Sequence, residues 1–146
     1  MIEINNLSTI PVDKEFLKKI TEEVLKKEKK NNLEVSIAFL NQRKMRELNK
    51  KYLRRNYPTD VLSFSFSKKE QAKPRIKNIF GEVIICPEKV LKNSRKIGAD
   101  FKKEMARVLI HGTLHLLGYN HEGKEKESKT MRKKEEYYIS KIYKTK

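Results

Sequence analysis

All three histidines of this 146-residue chain fall inside one eleven-residue stretch, "HGTLHLLGYNH", residues 111–121. His111 and His115 are four positions apart, so on a helix they share a face, one turn from each other. His121 follows six residues later, beyond Gly118, a residue able to take the left-handed conformation of a sharp helix exit. That turn would bring the third ring back towards the first two. Three neutral imidazoles around one divalent ion leave a fourth tetrahedral position for water, as in catalytic rather than structural zinc sites. The pattern therefore predicts one Zn2+ per chain, held by His111, His115 and His121. The competing explanation is a helix whose polar face happens to carry imidazoles. The intervening glycine, and the lack of histidine anywhere else in the chain, weigh against it.

The same histidine spacing occurs in metzincin proteases, with a glutamate directly after the first histidine as general base. Here that position is Gly112, which cannot move a proton. Met131 lies downstream, but within an expected helix, where a core methionine is the simpler reading than a supporting turn. Peptide hydrolysis by the metzincin route is disfavoured.

The elements that must position these rings can be read from the apolar pattern. A helix capped by Asp100 and holding Phe101, Met105, Val108, Leu109, Leu114, Leu116 and Leu117 should carry the first two histidines and stop at Gly118. A final amphipathic helix is expected from near Glu125 towards Tyr143. Upstream, Ile2 and Ile4 suggest a short first strand, and a helix begins near Asp13 with Phe16, Leu17, Ile20, Val24 and Leu25 on one face. "LEVSIAFL", 33–40, alternates as a strand, and Asn41 can cap a helix bearing Met45, Leu48 and Tyr52. "RRNYPTD", 54–60, breaks the pattern at Pro58. "VLSFSF", 61–66, is a strand, and the polar, basic "SKKEQAKPRIK", 67–77, is expected to be a loop. "IFGEVIIC", 79–86, is another strand, with Gly81 hinting at a bulge or close approach. Pro87 suits the first turn of a helix through about Lys96 that Gly98 ends. With no linker, repeat or composition shift, residues 1–146 read as a single α+β domain of about four strands and four or five helices.

Composition narrows the function. Thirty-five Lys plus Arg against 19 Asp plus Glu give a net charge of +16. Such an excess favours polyanions, above all nucleic acid, because neutralising phosphates releases condensed counterions. A lysine-rich genome would produce part of the same excess. Lys68, Lys69, Lys73, Arg75 and Lys77 form either an electrostatic arm for RNA or simply a solvated basic loop. No stretch reaches the roughly 18 apolar residues of a membrane span, and "MIEINNLSTI" lacks the basic and apolar regions of a signal peptide. The single cysteine, Cys86, has no internal disulfide partner and reads as a small buried hydrophobe at a strand end. A cytoplasmic protein without membrane attachment is expected.

At this level of detail "HGTLHLLGYNH" resembles the signature of the YbeY family of bacterial endoribonucleases and ribosomal RNA maturation factors. That signature usually reads H-G-x-L-H-L-x-G-Y-D-H. "LNKKYLRRNYPTDVLSF", 48–64, and "GEVIIC", 81–86, resemble the family's other blocks, in the same order. The resemblance implies a mixed sheet packed against helices, with the zinc in a cleft beside a basic surface. It implies cleavage of single-stranded RNA in maturation of small-subunit ribosomal RNA and in ribosome quality control, with the small ribosomal subunit as partner. Two positions depart from the pattern. Asn120 replaces the usual Asp, and Leu53 stands where an arginine usually follows the aromatic residue matched by Tyr52. Arg54 or Arg55 would then take the phosphate contact, Arg55 being favoured because it is nearer Pro58 and the strand beyond. No Asp, Glu or Lys stands out as a general base. The alternatives are a non-catalytic ribosome assembly factor in which zinc only fixes the last helix, and a zinc hydrolase of another substrate class.

Overall fold

The three side chains expected to cap helices do so in the computed structural model, which describes residues 2–53, 59–74, 76, 78–119 and 125–143, side chains at 53 and 125–128 excepted. Asp13 accepts the Phe16 N–H at 3.1 Å and opens α1 (Lys14–Lys27). Asn41 accepts the Lys44 N–H at 2.9 Å and opens α2 (Gln42–Leu48). Asp100 accepts the Lys103 N–H at 3.1 Å and opens α5 (Phe101–Leu116). Each satisfies a backbone donor that has no partner inside its helix. Pro87 starts α4 (Pro87–Ile97), and Gly98 ends it in the left-handed conformation at φ 69°. The last helix is α6 (Glu125–Ile142).

Four strands, β1 (Ile2–Asn6), β2 (Val35–Phe39), β3 (Val61–Ser65) and β4 (Gly81–Ile85), form one sheet in the order β1-β2-β4-β3. β1 with β2 and β2 with β4 are parallel, whereas β3 runs antiparallel to β4 along the edge. The sheet is therefore mixed, as the family resemblance implies. All five residues of β2 are buried, which accounts for its nearly unbroken apolar run. One face, with Ile37, Phe39, Val83 and Ile85, packs against α1, α5 and α6 in the larger core. The other, with Ala38, Leu62 and Ile84, packs on Met45 of α2. Cys86, fully buried, belongs to this second cluster as the expected small hydrophobe, and burial pushes its thiol pKa up.

Helix α5 lies against sheet and helices together. Leu109, Ile110 and Leu114 are fully buried, each contributing about 1.5–3 kcal/mol of transfer free energy. Met131 of α6 is 1% exposed and is a core residue, as expected.

Three expectations need correction. Segment 67–77 is not all loop, because Lys68–Gln71 form a short helix, α3. Ser67 Oγ accepts the Glu70 N–H at 3.2 Å while Glu70 accepts the Ser67 N–H at 3.0 Å, a reciprocal cap stronger than the segment's polar composition suggested. This helix raises the α-helices among the described residues to six. The helix carrying Met45 and Leu48 does not run on to Tyr52, since Asn49–Leu53 form a π-helical turn. Of the expected break at 54–60, residues 54–58 lie outside the described ones.

Candidate metal centre and active site

The site lies where α5 stops being buried. Its last two turns bury Gly112, Thr113, Leu114 and Leu116, leaving His111 partly exposed and His115 exposed. The i, i+4 spacing works as expected: the two ring centroids are 6.4 Å apart, with the rings nearly perpendicular. The helix ends by a paired backbone motif. Tyr119 N–H donates to the Leu114 carbonyl at 3.1 Å and Gly118 N–H to the His115 carbonyl at 3.0 Å. This closure needs the left-handed backbone that Gly118 adopts at φ 107°. The chain thus reverses just before His121, which itself lies outside the described residues.

A residue that sequence reasoning missed completes the surroundings of His111. Glu135 of α6 hydrogen-bonds and ion-pairs with His111 Nδ1, the two side chains being 16% and 27% exposed. The hydrogen bond that His111 donates to Glu135 raises the His111 pKa. Burial opposes the rise, and the charges of Glu135 and Asp60 add to it. In the neutral tautomer that donates Nδ1–H to the carboxyl, the ring's lone pair is on Nε2. One signal for Glu135 was present in the sequence. It sits four residues after Met131 and three before Tyr138, both buried, so it is a carboxyl in the apolar stripe of its helix.

Among the described residues no group of three His, Cys, Asp or Glu side chains stands close enough to hold a metal ion. The structure therefore brings together His111 and His115, and the third expected ligand is not among the residues it describes. The donor chemistry of this pair suits zinc, with two imidazoles on one helix face and a carboxyl on one ring.

Gly112 explains why the metzincin glutamate has no counterpart. A Cβ there would come within 2.8 Å of Val83 Cγ1, 2.9 Å of Val61 Cγ2 and 3.3 Å of Ser63 Oγ. Position 112 faces the sheet, and Ser63 Oγ donates to the Gly112 carbonyl at 2.8 Å. A side chain there fits only if Val61 and Val83, or α5 itself, shift. Gly81 is the second close approach, as expected, because a Cβ there would lie 2.7 Å from the Phe64 carbonyl oxygen.

Arg54 and Arg55 lie outside the described residues, but both ends of their segment are held. Asn49 Nδ2 donates to Thr59 Oγ1 at 3.1 Å, and Cys86 N–H to the Asp60 carbonyl at 2.9 Å. Tyr52, 54% exposed, stands edge-on to Phe64 with ring centroids 5.3 Å apart. Of the basic run, Lys68, Lys69 and Lys73 are exposed, whereas Arg75 and Lys77 are not among the described residues.

Glu28, at the end of α1, accepts three hydrogen bonds. They come from Tyr119 Oη at 2.7 Å, Tyr138 Oη at 2.5 Å and Lys134 Nζ at 3.0 Å. A carboxylate is the wrong charge for a helix C-terminus, so these donors must hold it there. They tie α1, α6 and the turn after Gly118 together, two residues before His121.

Comparison with known proteins covers nearly the whole chain. The family model described as Endoribonuclease YbeY matches residues 3–143. An Endoribonuclease YbeY of Thermotoga neapolitana is 35% identical over 133 residues, covering 89% of this chain and 83% of the relative. One from Sulfurihydrogenibium sp. is 40% identical over 120 residues, covering 82% and 77%. The solution structure of TM1509 from Thermotoga maritima matches with a TM-score of 0.69 at 32% identity, covering 98% of this chain and 89% of that one.

Proposed function

The chain belongs to the YbeY family of endoribonucleases, and from that premise we propose that it is a zinc-dependent endoribonuclease specific for single-stranded RNA. Its proposed work is maturation of small-subunit ribosomal RNA at the 3' end, and quality control of ribosomes, in the cytoplasm. The observation that carries the metal part of this reading is the His111–His115 pair, with Glu135 on Nδ1 of His111. His121, arriving just after the Gly118 reversal, is the proposed third ligand.

When bound, zinc supplies Lewis acidity towards a phosphoryl oxygen and lowers the pKa of a ligated water. The protein supplies the rest. The excess of cationic charge draws in the RNA backbone, with exposed Lys68, Lys69 and Lys73 contributing to it. Arg55, or Arg54 in its place, pairs through its guanidinium with the phosphate and stabilises charge that grows in the transition state. Gly112 lets α5 sit close on β3 and β4, next to His111 and the exposed His115. No described helix is long and apolar enough to cross a membrane, consistent with an enzyme that meets its RNA in solution.

The test is single-turnover cleavage of a single-stranded RNA by the full chain, with and without zinc, beside His115→Ala. Wild type should cleave only when loaded, and His115→Ala should lose both metal and activity. Arg54→Ala with Arg55→Ala should lower turnover more than binding, by about 30- to 1,000-fold, equal to about 2–4 kcal/mol. Cleavage at equal rates with and without metal would overturn the zinc reading. RNA binding without any cleavage by the loaded wild type would instead favour a non-catalytic ribosome assembly factor.

A further inference from the structure

Glu135 lies 24 residues beyond His111, on a different helix, yet its side chain meets one ring nitrogen of that histidine. A carboxyl group in an apolar stripe loses hydration on folding and needs a hydrogen-bond partner to offset the loss. Met131 and Tyr138, one turn to either side, are 1% and 3% exposed, so Glu135 projects towards α5 between core residues. Its only hydrogen-bond partner among the described residues is His111.

We propose that Glu135 is a positioning residue of the metal centre: its carboxyl oxygen accepts the Nδ1 proton of His111, fixes that tautomer, and turns Nε2 towards the ion. The inference rests on the reading of His111 as a zinc ligand. A neutral imidazole has one N–H and one lone pair on two distinct nitrogens, and a hydrogen bond to one of them decides which carries the proton. Without Glu135 the ring can flip about its outer bond or carry its proton on Nε2, and each of these states withholds the donor that the cage needs. The carboxyl group removes both. It is not itself a ligand in this arrangement, because a group on Nδ1 sits on the far side of the ring from an ion on Nε2. Partners of this kind are worth about 10- to 100-fold in metal affinity.

A purely structural role, a strut between α5 and α6, makes different demands. For that role Glu135→Met would serve well, since it continues the apolar stripe set by Met131 and avoids placing a carboxyl among core residues. The full-length protein should be compared as wild type, Glu135→Met, Glu135→Gln and His115→Ala. The readouts are zinc affinity, by competition with a chromogenic chelator, and the His111 tautomer in the metal-free state, by nitrogen-15 NMR at a pH where the ring is neutral. Wild type should show the Nδ1–H form. Glu135→Met should lose that preference and bind zinc about 10- to 100-fold more weakly while remaining folded. Glu135→Gln, whose amide oxygen can still accept the proton, should recover most of both.

If Glu135→Met keeps the wild-type tautomer and zinc affinity while His115→Ala loses zinc, Glu135 is only a strut and the positioning role is overturned. If the wild type binds no zinc, or His115→Ala binds it equally well, the metal reading fails and the inference falls with it.

Discussion

Glu28 and Glu135 both join helix α6 to the rest of the molecule, and both are largely withdrawn from solvent. The number of donors each receives separates them. Glu28 accepts a hydrogen bond from each of Tyr119, Tyr138 and Lys134. Burial alone would push the Glu28 pKa up, yet hydrogen bonds from Tyr138, Tyr119 and Lys134 outweigh it and hold the carboxyl below its usual value. Burial beside the same carboxylate pushes the Tyr138 hydroxyl well above the ordinary tyrosine range. Glu135 instead takes one nitrogen of a ring that has two. The first carboxyl closes a network. The second holds one ring nitrogen of a histidine that shares its helix face with His115. A carboxyl tied to three donors holds the fold together, and one tied to a proposed metal ligand is placed to orient it.

The sharpest way to break this contrast is His111→Ala. It should abolish stoichiometric zinc and lower single-turnover RNA cleavage by about 1,000-fold, equal to about 4 kcal/mol. Stability of the metal-free protein to urea should fall by about 1–2 kcal/mol, because Glu135 loses the partner that offsets its burial. A large loss of stability with metal retained would erase the distinction between the two regions.

Glu28→Ala should behave in the opposite way, costing about 2–3 kcal/mol in urea unfolding, since it strands the Tyr119 and Tyr138 hydroxyls without their acceptor. The pH dependence follows from the lowered pKa. The carboxylate stabilises the fold fully above its unfolded value, near 4.5, and that contribution is lost as pH falls through the lower folded value. The stability gap between wild type and Glu28→Ala should therefore stay constant near neutrality and shrink in acid. A gap that widened on acidification would contradict the hydrogen-bond geometry.

Gly112→Ala tests the seat that both regions share. Its methyl group would overlap Val83 and Val61, so a cost of about 1–3 kcal/mol is expected, with weaker zinc binding as α5 moves. Thermal unfolding and zinc competition on the same sample would read both effects. The smallest change is Ser63→Ala, which removes a single hydrogen bond to the Gly112 carbonyl and should cost about 1 kcal/mol with activity nearly intact.

Much of this was legible in the order of the residues. Asp13, Asn41 and Asp100 act as caps because a cap depends on atoms three residues apart, which the sequence states directly. The Ser67–Glu70 cap was equally local, and was obscured by reading the segment as a basic loop. His111, His115 and the Gly118 exit belong to the same class, since helical geometry and a left-handed glycine are properties of short stretches. The absence of a metzincin base was also legible, because Gly112 has no side chain.

What only the tertiary structure decided is which distant residues complete these local features. That Gly112 is needed by the sheet, and is not merely a missing base, depends on Val61 and Val83 of two strands paired antiparallel. Glu28 meets Tyr119 across 91 residues, and Glu135 meets His111 across 24. Nothing in a local pattern specifies such meetings, for they follow from how helices α1, α5 and α6 pack on one face of the sheet. The sequence by itself determined the His111–His115 pair on one helix face and the Gly118 exit after it, because those depend on backbone geometry over a few residues. Their orientation, and the difference between a carboxylate that stabilises and one that positions, came from packing, where burial makes every polar group find its partner.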